Sequence, residues 1–258
     1  MNADNPFPGE RTAVITGAAS PRGIGRATAD RLARDGWSIA ILDLDDEAAT
    51  RTAAEIAGNR SVVSLGVAAD VSDEDSVEAA IAQVEASLPP IIGLANVAGV
   101  SSPTDFLDIT TAEWDRVFDV NMRGTFLVTR RVVPAMIAAG VGRIVSVSSI
   151  SAQRGGGTYS KVPYSASKAA VIGFTRALAR EMGPHGITVN SVAPGPIDTD
   201  IMGGTLTEER KAELGADTMI GRVGAVAEVA ALMAFLLSED AGYITAATYD
   251  INGGLQVS

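Results

Sequence analysis

The sequence predicts an α/β fold in which helices cover both faces of a doubly wound parallel sheet. Apolar, β-branched segments of strand length alternate with longer segments of helical periodicity, and most strand candidates are apolar along both faces. Repeated β–α alternation with right-handed crossovers produces a parallel sheet. The length of 258 residues suits one large α/β domain.

Strand and helix candidates follow one another along the whole chain. The predicted strands are 12–16, 38–42, 61–65, 91–95, 143–147, 187–191 and 247–251. The predicted helices are 23–35, 46–57, 73–87, 112–138, 163–182 and 226–238. Acidic residues in the first turns after Ser72 and Thr110 favour helix starts there. We expect residues 1–10 to form a flexible lead-in and residues 11–258 to form a single domain.

Composition excludes several kinds of site. The absence of cysteine excludes disulfides, thiolate nucleophiles and Cys-ligated zinc, and one histidine, His185, cannot build a multi-His metal site. We interpret His185 as a surface residue of a helix-to-strand turn. The net charge of −11 argues against nucleic acid and anionic membranes as partners. Without a membrane-spanning apolar run or a signal-peptide pattern, we expect a cytoplasmic protein.

A glycine-rich turn connects the first predicted strand to the first helix. Gly17, Gly23 and Gly25 allow the backbone to bend sharply and approach a pyrophosphate, whose charge is met by the helix N-terminus. The second strand ends in Asp43, where a carboxylate accepts hydrogen bonds from an adenosine ribose. The turn and the carboxylate together predict a dinucleotide site on a Rossmann fold.

Asp43 also bears on which dinucleotide binds. A 2′-phosphate would meet this carboxylate at close range, and like charges repel strongly where water is partly excluded. Arg22, in the glycine turn, is a basic residue that could pair with such a phosphate, or it is a solvated loop residue. We predict NAD rather than NADP.

Tyr164 and Lys168 lie four residues apart in a predicted helix and therefore share one face. An ammonium within about 4–6 Å lowers the pKa of a phenol, which then exchanges a proton with an alcohol or carbonyl oxygen. The same spacing occurs on many solvated helices. Upstream, Ser149 follows the fifth strand at the sheet edge where ligands bind, either to contact a substrate oxygen or to form a turn.

The chain resembles the short-chain dehydrogenase/reductase family over residues 11–254, because the family's motifs appear in order. They are Thr16-Gly17…Gly23-Ile24-Gly25, Asp70-Val71, Asn96-Val-Ala-Gly99, Asn121, Ser149, Tyr164 with Lys168, and Pro194-Gly-Pro-Ile197-Asp-Thr199. Any one motif is weakly specific, whereas the ordered set is very specific.

The resemblance implies roles for the four residues of its catalytic set. Tyr164 is implied as the general acid/base, and Lys168 as the residue that lowers its pKa and binds the nicotinamide ribose. Ser149 is implied to orient the substrate oxygen. Asn121 is implied to hold a water in a proton relay to Lys168.

The resemblance also implies the cofactor contacts. Asp70 and Val71 would flank the adenine, Asn96 and Gly99 would line the cofactor's path, and Ile197 with Thr199 would hold the carboxamide. The full expected set is Gly17, Arg22, Gly23, Ile24, Gly25, Asp43, Asp70, Val71, Asn96, Gly99, Tyr164, Lys168, Pro194, Ile197 and Thr199.

The chain departs from the family's pattern in several places. Five residues rather than three separate Gly17 from Gly23, Val97 replaces an asparagine, and Thr245-Ala-Ala247 stands where Thr-Gly is usual. The segment from Ser149 to Tyr164 is about two residues longer than usual and contains Gly155-Gly-Gly157, which we expect to enlarge one wall of the substrate pocket. Within it, Tyr159 has no lysine four residues on and is interpreted as a decoy.

We therefore predict an oxidoreductase that transfers a hydride between NAD(H) and a secondary alcohol or ketone of polyol, sugar or hydroxy-acyl type. One alternative is an NADPH-dependent 3-oxoacyl-(acyl-carrier-protein) reductase, against which Asp43 counts. A second is a non-catalytic dinucleotide-sensing regulator, which we would expect to lack part of the catalytic set. The resemblance further implies a lid near 200–216, hinged at Gly203-Gly204, and a homotetramer.

Overall fold

The computed structural model describes residues 7–60, 62–157, 159–202 and 204–257. Within this part of the chain the strands form one seven-stranded sheet, in which every neighbouring pair is parallel. The strands are β1 (Thr12–Thr16), β2 (Ser38–Asp43), β3 (Ser64–Ala68), β4 (Ile91–Asn96), β5 (Gly142–Val147), β6 (Ile187–Pro194) and β7 (Thr248–Ile251). Their spatial order, β3-β2-β1-β4-β5-β6-β7, confirms the predicted doubly wound sheet.

Helices cover both faces of this sheet. They are α1 (Ile24–Arg34), α2 (Asp46–Asn59), α3 (Glu74–Ser87), α4 (Thr111–Phe118), α5 (Gly124–Ala139), α6 (Ser151–Arg154), α7 (Val162–Met182), α8 (Glu208–Ala216) and α9 (Val226–Leu237). Asp45, Asp73, Thr110 and Thr207 cap α2, α3, α4 and α8, because each side chain accepts a hydrogen bond from the backbone N–H three residues later.

Two hydrophobic clusters form the core, one on each face of the sheet. Along β1, Ala13 and Ile15 belong to one cluster and Val14 to the other, because successive strand residues point to opposite faces. The first cluster includes side chains of α1, α2 and α9, and the second includes side chains of α3, α5 and α7. Burial on both faces explains the continuous apolar runs in the sequence.

The structure differs from the predicted elements in several places, and α6 and α8 are helices that were not predicted. The third strand was predicted at 61–65, whereas β3 runs over Ser64–Ala68; Ser61 lies outside the described residues. The predicted helix 112–138 is divided into α4 and α5 by a π-helical turn at Asp119–Arg123. Such a turn inserts one residue into the helical ladder, and turns of this kind are frequent at functional sites.

Several further features bear on the sequence predictions. Of the predicted lead-in, residues 1–6 lie outside the described residues, and the ring of Phe7 packs edge-on against Trp37 at 5.7 Å. His185 is exposed in the turn before β6, as predicted. None of the described helices combines the length and the apolar character needed to cross a membrane.

Candidate active site

A cavity of about 850 Å³ lies at the carboxyl ends of the strands. It opens where the chain leaves the neighbouring strands β1 and β4, and from these two strands the strand order runs in opposite directions. Ligands bind at such a point in open α/β sheets. The predicted site residues that line it are Gly17, Gly23, Ile24, Asp43, Asp70, Val71, Gly99, Ser149, Tyr164, Lys168, Pro194, Ile197 and Thr199. Arg22, Gly25, Asn96 and Asn121 are not among the lining residues.

The glycine turn forms one end of this cavity. Gly17 has a φ of +64°, and a Cβ there would lie 2.7 Å from the Cα of Ala98. A Cβ on Gly25 would lie 2.5 Å from the carbonyl oxygen of Gly17. The N-cap of α1, Gly23, offers no side chain to the first N–H groups of the helix, and the first turn contains no acidic residue. The turn therefore presents unpaired backbone donors, which suit an anionic group such as a pyrophosphate.

Asp43 ends β2 beside this turn. One oxygen, Oδ2, accepts a hydrogen bond of 2.9 Å from the backbone N–H of Ala19, which fixes the carboxylate against the turn. Asp43 lines the cavity together with Leu44. A carboxylate has further acceptor sites, so it can still receive hydrogen bonds from vicinal hydroxyl groups.

Arg22 belongs to an ion-pair network with the segment after β6. Its guanidinium lies 2.6 Å from Asp198 and 2.9 Å from Asp200. Lys211, on α8, lies 3.0 Å from Asp198 as well. The network joins the glycine turn to α8. Arg22 is the cation that could pair with a 2′-phosphate, and here it is already paired with Asp198 and Asp200.

Ser149, Tyr164 and Lys168 form the opposite end of the cavity, and each is at least nine-tenths buried. The side chains of Ser149 and Tyr164 lie close enough for the serine hydroxyl to lower the pKa of the phenol. The Lys168 ammonium donates to the carbonyl oxygen of Val147 at 2.8 Å and lies 5.7 Å from the centre of the Tyr164 ring. The hydroxyl of Ser148 donates to the carbonyl oxygen of Lys168, which joins α7 to the end of β5.

Burial dominates the acid–base properties of this group. It raises the pKa of Tyr164, and the hydroxyl of Ser149 lowers that pKa by a smaller amount. Burial also lowers the pKa of Lys168 to about 8. Desolvation disfavours the phenolate and sets the upward direction of the Tyr164 pKa, whereas a lowering of that pKa by Lys168 stays a prediction. At neutral pH Tyr164 carries its proton and can act as a donor.

Asn121 lies in the π-helical turn and is completely buried. Its amide oxygen accepts from the N–H of Val100 at 2.8 Å, and its amide nitrogen donates to Val100 and to the hydroxyl of Ser167. A Cβ on Gly99 would lie 3.2 Å from Asn121 Oδ1 and 3.3 Å from Lys168 Nζ. Asn121 thus holds the segment after β4 against α7, next to Lys168.

Asn96 lies behind the cavity wall. Its amide nitrogen donates to the hydroxyl groups of Thr129 and Ser146 at 3.0 and 3.2 Å, so it joins β4 to α5 and β5. The residues that follow it, including Gly99, line the cavity in its place. Asn96 therefore supports the wall at the position where the sequence predicted a contact with the cofactor.

The cavity lining also contains residues that were not predicted as site residues. α8 contributes Arg210, Glu213 and Leu214, and the loop before α7 contributes Tyr159. The centre of the Tyr159 ring lies 5.8 Å from the guanidinium carbon of Arg210. Tyr159, interpreted from the sequence as a decoy for the catalytic tyrosine, therefore forms part of the cavity wall. These contacts join segments about 50 residues apart, and no local pattern reveals them. Gly203 of the predicted hinge lies outside the described residues.

The described residues do not offer a metal site of their own. No group of three or more His, Asp or Glu side chains among them is arranged to hold a metal ion. Ser149 and Lys168 line the cavity together with Tyr164, and their side chains carry a hydroxyl and an ammonium group.

Comparisons with known proteins agree with this geometry. A family model described as enoyl-(acyl carrier protein) reductase matches residues 17–256. An uncharacterized short-chain type dehydrogenase/reductase of Sinorhizobium fredii is 41% identical over 247 residues, which cover 96% of this chain and 98% of that protein. A 3-oxoacyl-(acyl-carrier-protein) reductase of Aquifex aeolicus is 39% identical and covers 95% and 97%. The crystal structure of a 3-oxoacyl-(acyl-carrier protein) reductase from Brucella melitensis superposes with a TM-score of 0.89 at 35% identity, covering 100% of this chain and 99% of that one.

The lowered pKa of Lys168 predicts how stability changes with pH. Between about 8 and 10.5 the unfolded chain binds more protons than the folded protein, so the free energy of unfolding rises with pH across this window. Lys168 alone should add about 2 kcal/mol to the free energy of unfolding between pH 7 and pH 9.5. A Lys168→Met variant should lack that rise, whereas Lys161→Met should retain it. Urea unfolding with no dinucleotide added measures both, and equal pH dependence of the wild type and Lys168→Met would contradict the assignment.

Proposed function

The chain belongs to the short-chain dehydrogenase/reductase family, and from this premise we propose that it interconverts a secondary alcohol and a ketone by hydride exchange with NAD(H). The observation that carries the proposal is that Ser149 and Tyr164, buried beside Lys168, line the same cavity as Asp43 and the glycine turn. A proton donor and a dinucleotide-binding turn in one cavity are what carbonyl reduction requires.

The residues present fit a dinucleotide. The N-cap of α1 carries no side-chain cap and its first turn has no acidic residue, so this turn offers backbone N–H groups to a ligand's phosphates. Gly17 and Gly23 line the cavity beside it. Asp43 would accept hydrogen bonds from the adenosine ribose. Ile197 and Thr199 line the cavity after β6 and would hold the carboxamide. Asp70 and Val71 would flank the adenine.

The residues around Tyr164 would handle the proton. When bound, the nicotinamide supplies or accepts the hydride. In the reducing direction, Tyr164 donates its phenolic proton to the substrate oxygen as negative charge develops there, and Ser149 orients that oxygen. Lys168 places a positive charge near the phenolate that results and so stabilises it. Asn121 would support a relay that returns a proton to Lys168.

Two observations favour NAD(H) over NADP(H). Asp43 lies where an adenosine 2′-phosphate would come close to its carboxylate, and repulsion between like charges disfavours that group. Arg22, the basic residue of the glycine turn, is occupied by Asp198 and Asp200. The NADPH-dependent 3-oxoacyl-(acyl-carrier-protein) reductase is the second candidate, because relatives from Aquifex aeolicus and Brucella melitensis carry the name 3-oxoacyl-(acyl-carrier-protein) reductase.

The assembly and location are further parts of the proposal. Trp114 on α4 and Phe126 on α5 are 37% and 41% exposed, although large aromatic side chains are usually covered. The family resemblance implies a homotetramer formed in part through the helix predicted at 112–138, which contains both residues. We also retain the expectation of a cytoplasmic enzyme acting on a small molecule, with NAD as its cofactor.

Replacing Tyr164 by phenylalanine tests the catalytic assignment. A Tyr164→Phe variant should lower kcat for NADH-dependent ketone reduction by at least about 100-fold, since the proton donor is lost, while NADH affinity changes by less than about 2-fold. Tyr249→Phe, on β7 outside the cavity, is the matched control and should keep its kcat. Steady-state assays over a panel of ketones and NADH titration measure both quantities. Full turnover by Tyr164→Phe would contradict the assignment.

Replacing Asp43 by serine tests the cofactor assignment. The wild type should have a higher kcat/KM with NADH than with NADPH, and Asp43→Ser should shift the ratio towards NADPH by about 30-fold, equivalent to about 2 kcal/mol of removed repulsion. Asp46→Ser, in the exposed first turn of α2, should leave the ratio unchanged. A wild type that prefers NADPH would favour the 3-oxoacyl reductase instead.

A further inference from the structure

The wall of the cavity next to Ser149 is built by α6 and the loop after it. The hydroxyl of Ser149 accepts a hydrogen bond of 3.1 Å from the backbone N–H of Ser151, the first residue of α6. The N–H of Arg154, the last residue of α6, donates to Ile150 at 2.9 Å. This single helical turn therefore fixes the backbone of Arg154 relative to Ser149.

The rest of this wall carries no charge. Gly156 and Gly157 line the cavity without side chains, and the φ of +103° at Gly156 requires glycine. The other lining residues of this wall are neutral, namely Ser149, Ile150, Ser151, Tyr159, Ser160 and Tyr164. Within the described part of residues 149–164, Arg154 is thus the one charged side chain on the cavity surface.

Arg154 differs from Arg210, the guanidinium that α8 brings to the same cavity. Arg210 lies 2.6 Å from Glu213 on its own helix. No carboxylate of the described residues forms an ion pair with Arg154, and the neighbouring Gln153 is the residue that bonds to Asp250. A guanidinium stays protonated at all physiological pH values, and its planar fork matches the two oxygens of a carboxylate.

We propose that Arg154 binds a carboxylate carried by the substrate, so that the natural substrates are an oxo acid and its hydroxy acid. The inference rests on the proposed function, whose substrate class it names. In the reducing direction, the ketone carbon gains the hydride of one NADH, which becomes NAD⁺, and the ketone oxygen gains the Tyr164 proton. The carboxylate at Arg154 is unchanged by the reaction.

The surrounding charges favour a singly charged group over a phosphate ester. Asp217 lines the cavity on the α8 side, and Glu213 there is already neutralised by Arg210. One guanidinium balances one carboxylate, whereas a dianionic phosphate would be left with an excess negative charge in a cavity that Asp217 also lines.

Paired substrates test this inference. Oxo acids with one to four methylene groups between ketone and carboxylate are compared with their methyl esters in NADH-dependent reduction. The best oxo acid should exceed its ester in kcat/KM by at least about 10-fold, because a hydrogen-bonded charge pair is lost in the ester. Arg154→Gln should lower kcat/KM for that acid by about 10- to 100-fold, mainly through KM, and change the value for the ester by less than about 2-fold.

Two further variants sharpen the readout. Arg154→Lys should recover part of the preference for the acid, because it restores the charge without the fork. Arg51→Gln removes an exposed guanidinium from α2, outside the cavity, and should leave both substrates unaffected. Equal kcat/KM for acids and esters, or equal losses for both in Arg154→Gln, would overturn the inference. So would a higher kcat/KM for the N-acetylcysteamine thioester of 3-oxobutanoate than for every oxo acid.

Failure of the proposed function would look different. If neither acids nor esters support NADH oxidation, the hydride-transfer proposal fails, and equilibrium titration of the same oxo acids then decides the inference alone. Binding to the NADH-loaded wild type that weakens about 10-fold or more in Arg154→Gln supports the carboxylate site. Equal binding to both proteins, or no binding to the wild type, overturns it.

Discussion

The contact between Gly17 and Ala98 is the constraint on which the site depends. At this point the chain leaves β1 and β4, and the gap is too narrow for a Cβ on residue 17. The hydroxyl of Thr16 accepts hydrogen bonds from the N–H groups of Val97 and Ala98, which holds the two chain segments together. Because the strand order runs in opposite directions from here, a cleft opens above the contact, and the ends of the neighbouring strands carry Asp43 and Ser149 to its rim.

The other end of the site contains the buried ammonium group of Lys168, and burying this charge costs free energy of folding. Lys168 is 3% exposed, and within the described part of the chain its ammonium forms one hydrogen bond, to the carbonyl oxygen of Val147. Burial of a charge that is incompletely paired destabilises the folded state, and such cost is common at functional sites. The hydrogen bonds of Asn121 and Ser148 hold the elements on either side of Lys168, so the fold around this buried charge is well supported. The same burial keeps Tyr164 protonated.

The sequence predicted the parts of the fold that depend on local pattern. The central strands, such as β1 and β4, are apolar on both faces and were located to within a residue. The third strand was offset because β3 lies at the sheet edge and is only half-buried, which weakens its apolar signal. The π-helical turn at Asp119–Arg123 was missed because a turn of five residues barely disturbs helical periodicity. Spacing placed Tyr164 and Lys168 together, but the direction of their pKa shifts depends on burial, and the wall contacts of Arg154, Tyr159 and Arg210 depend on tertiary packing.

The central claim is that this cavity transfers a hydride directly between a dinucleotide and a carbonyl carbon. It is tested most directly with NADH that carries deuterium at C4 in one or the other stereochemical position, incubated with a reducible ketone. Because the cavity would hold the nicotinamide in one orientation, one of the two labelled cofactors should deliver one deuterium to the new carbinol carbon and the other should deliver none. A product without deuterium from either cofactor, or with equal deuterium from both, would contradict the account.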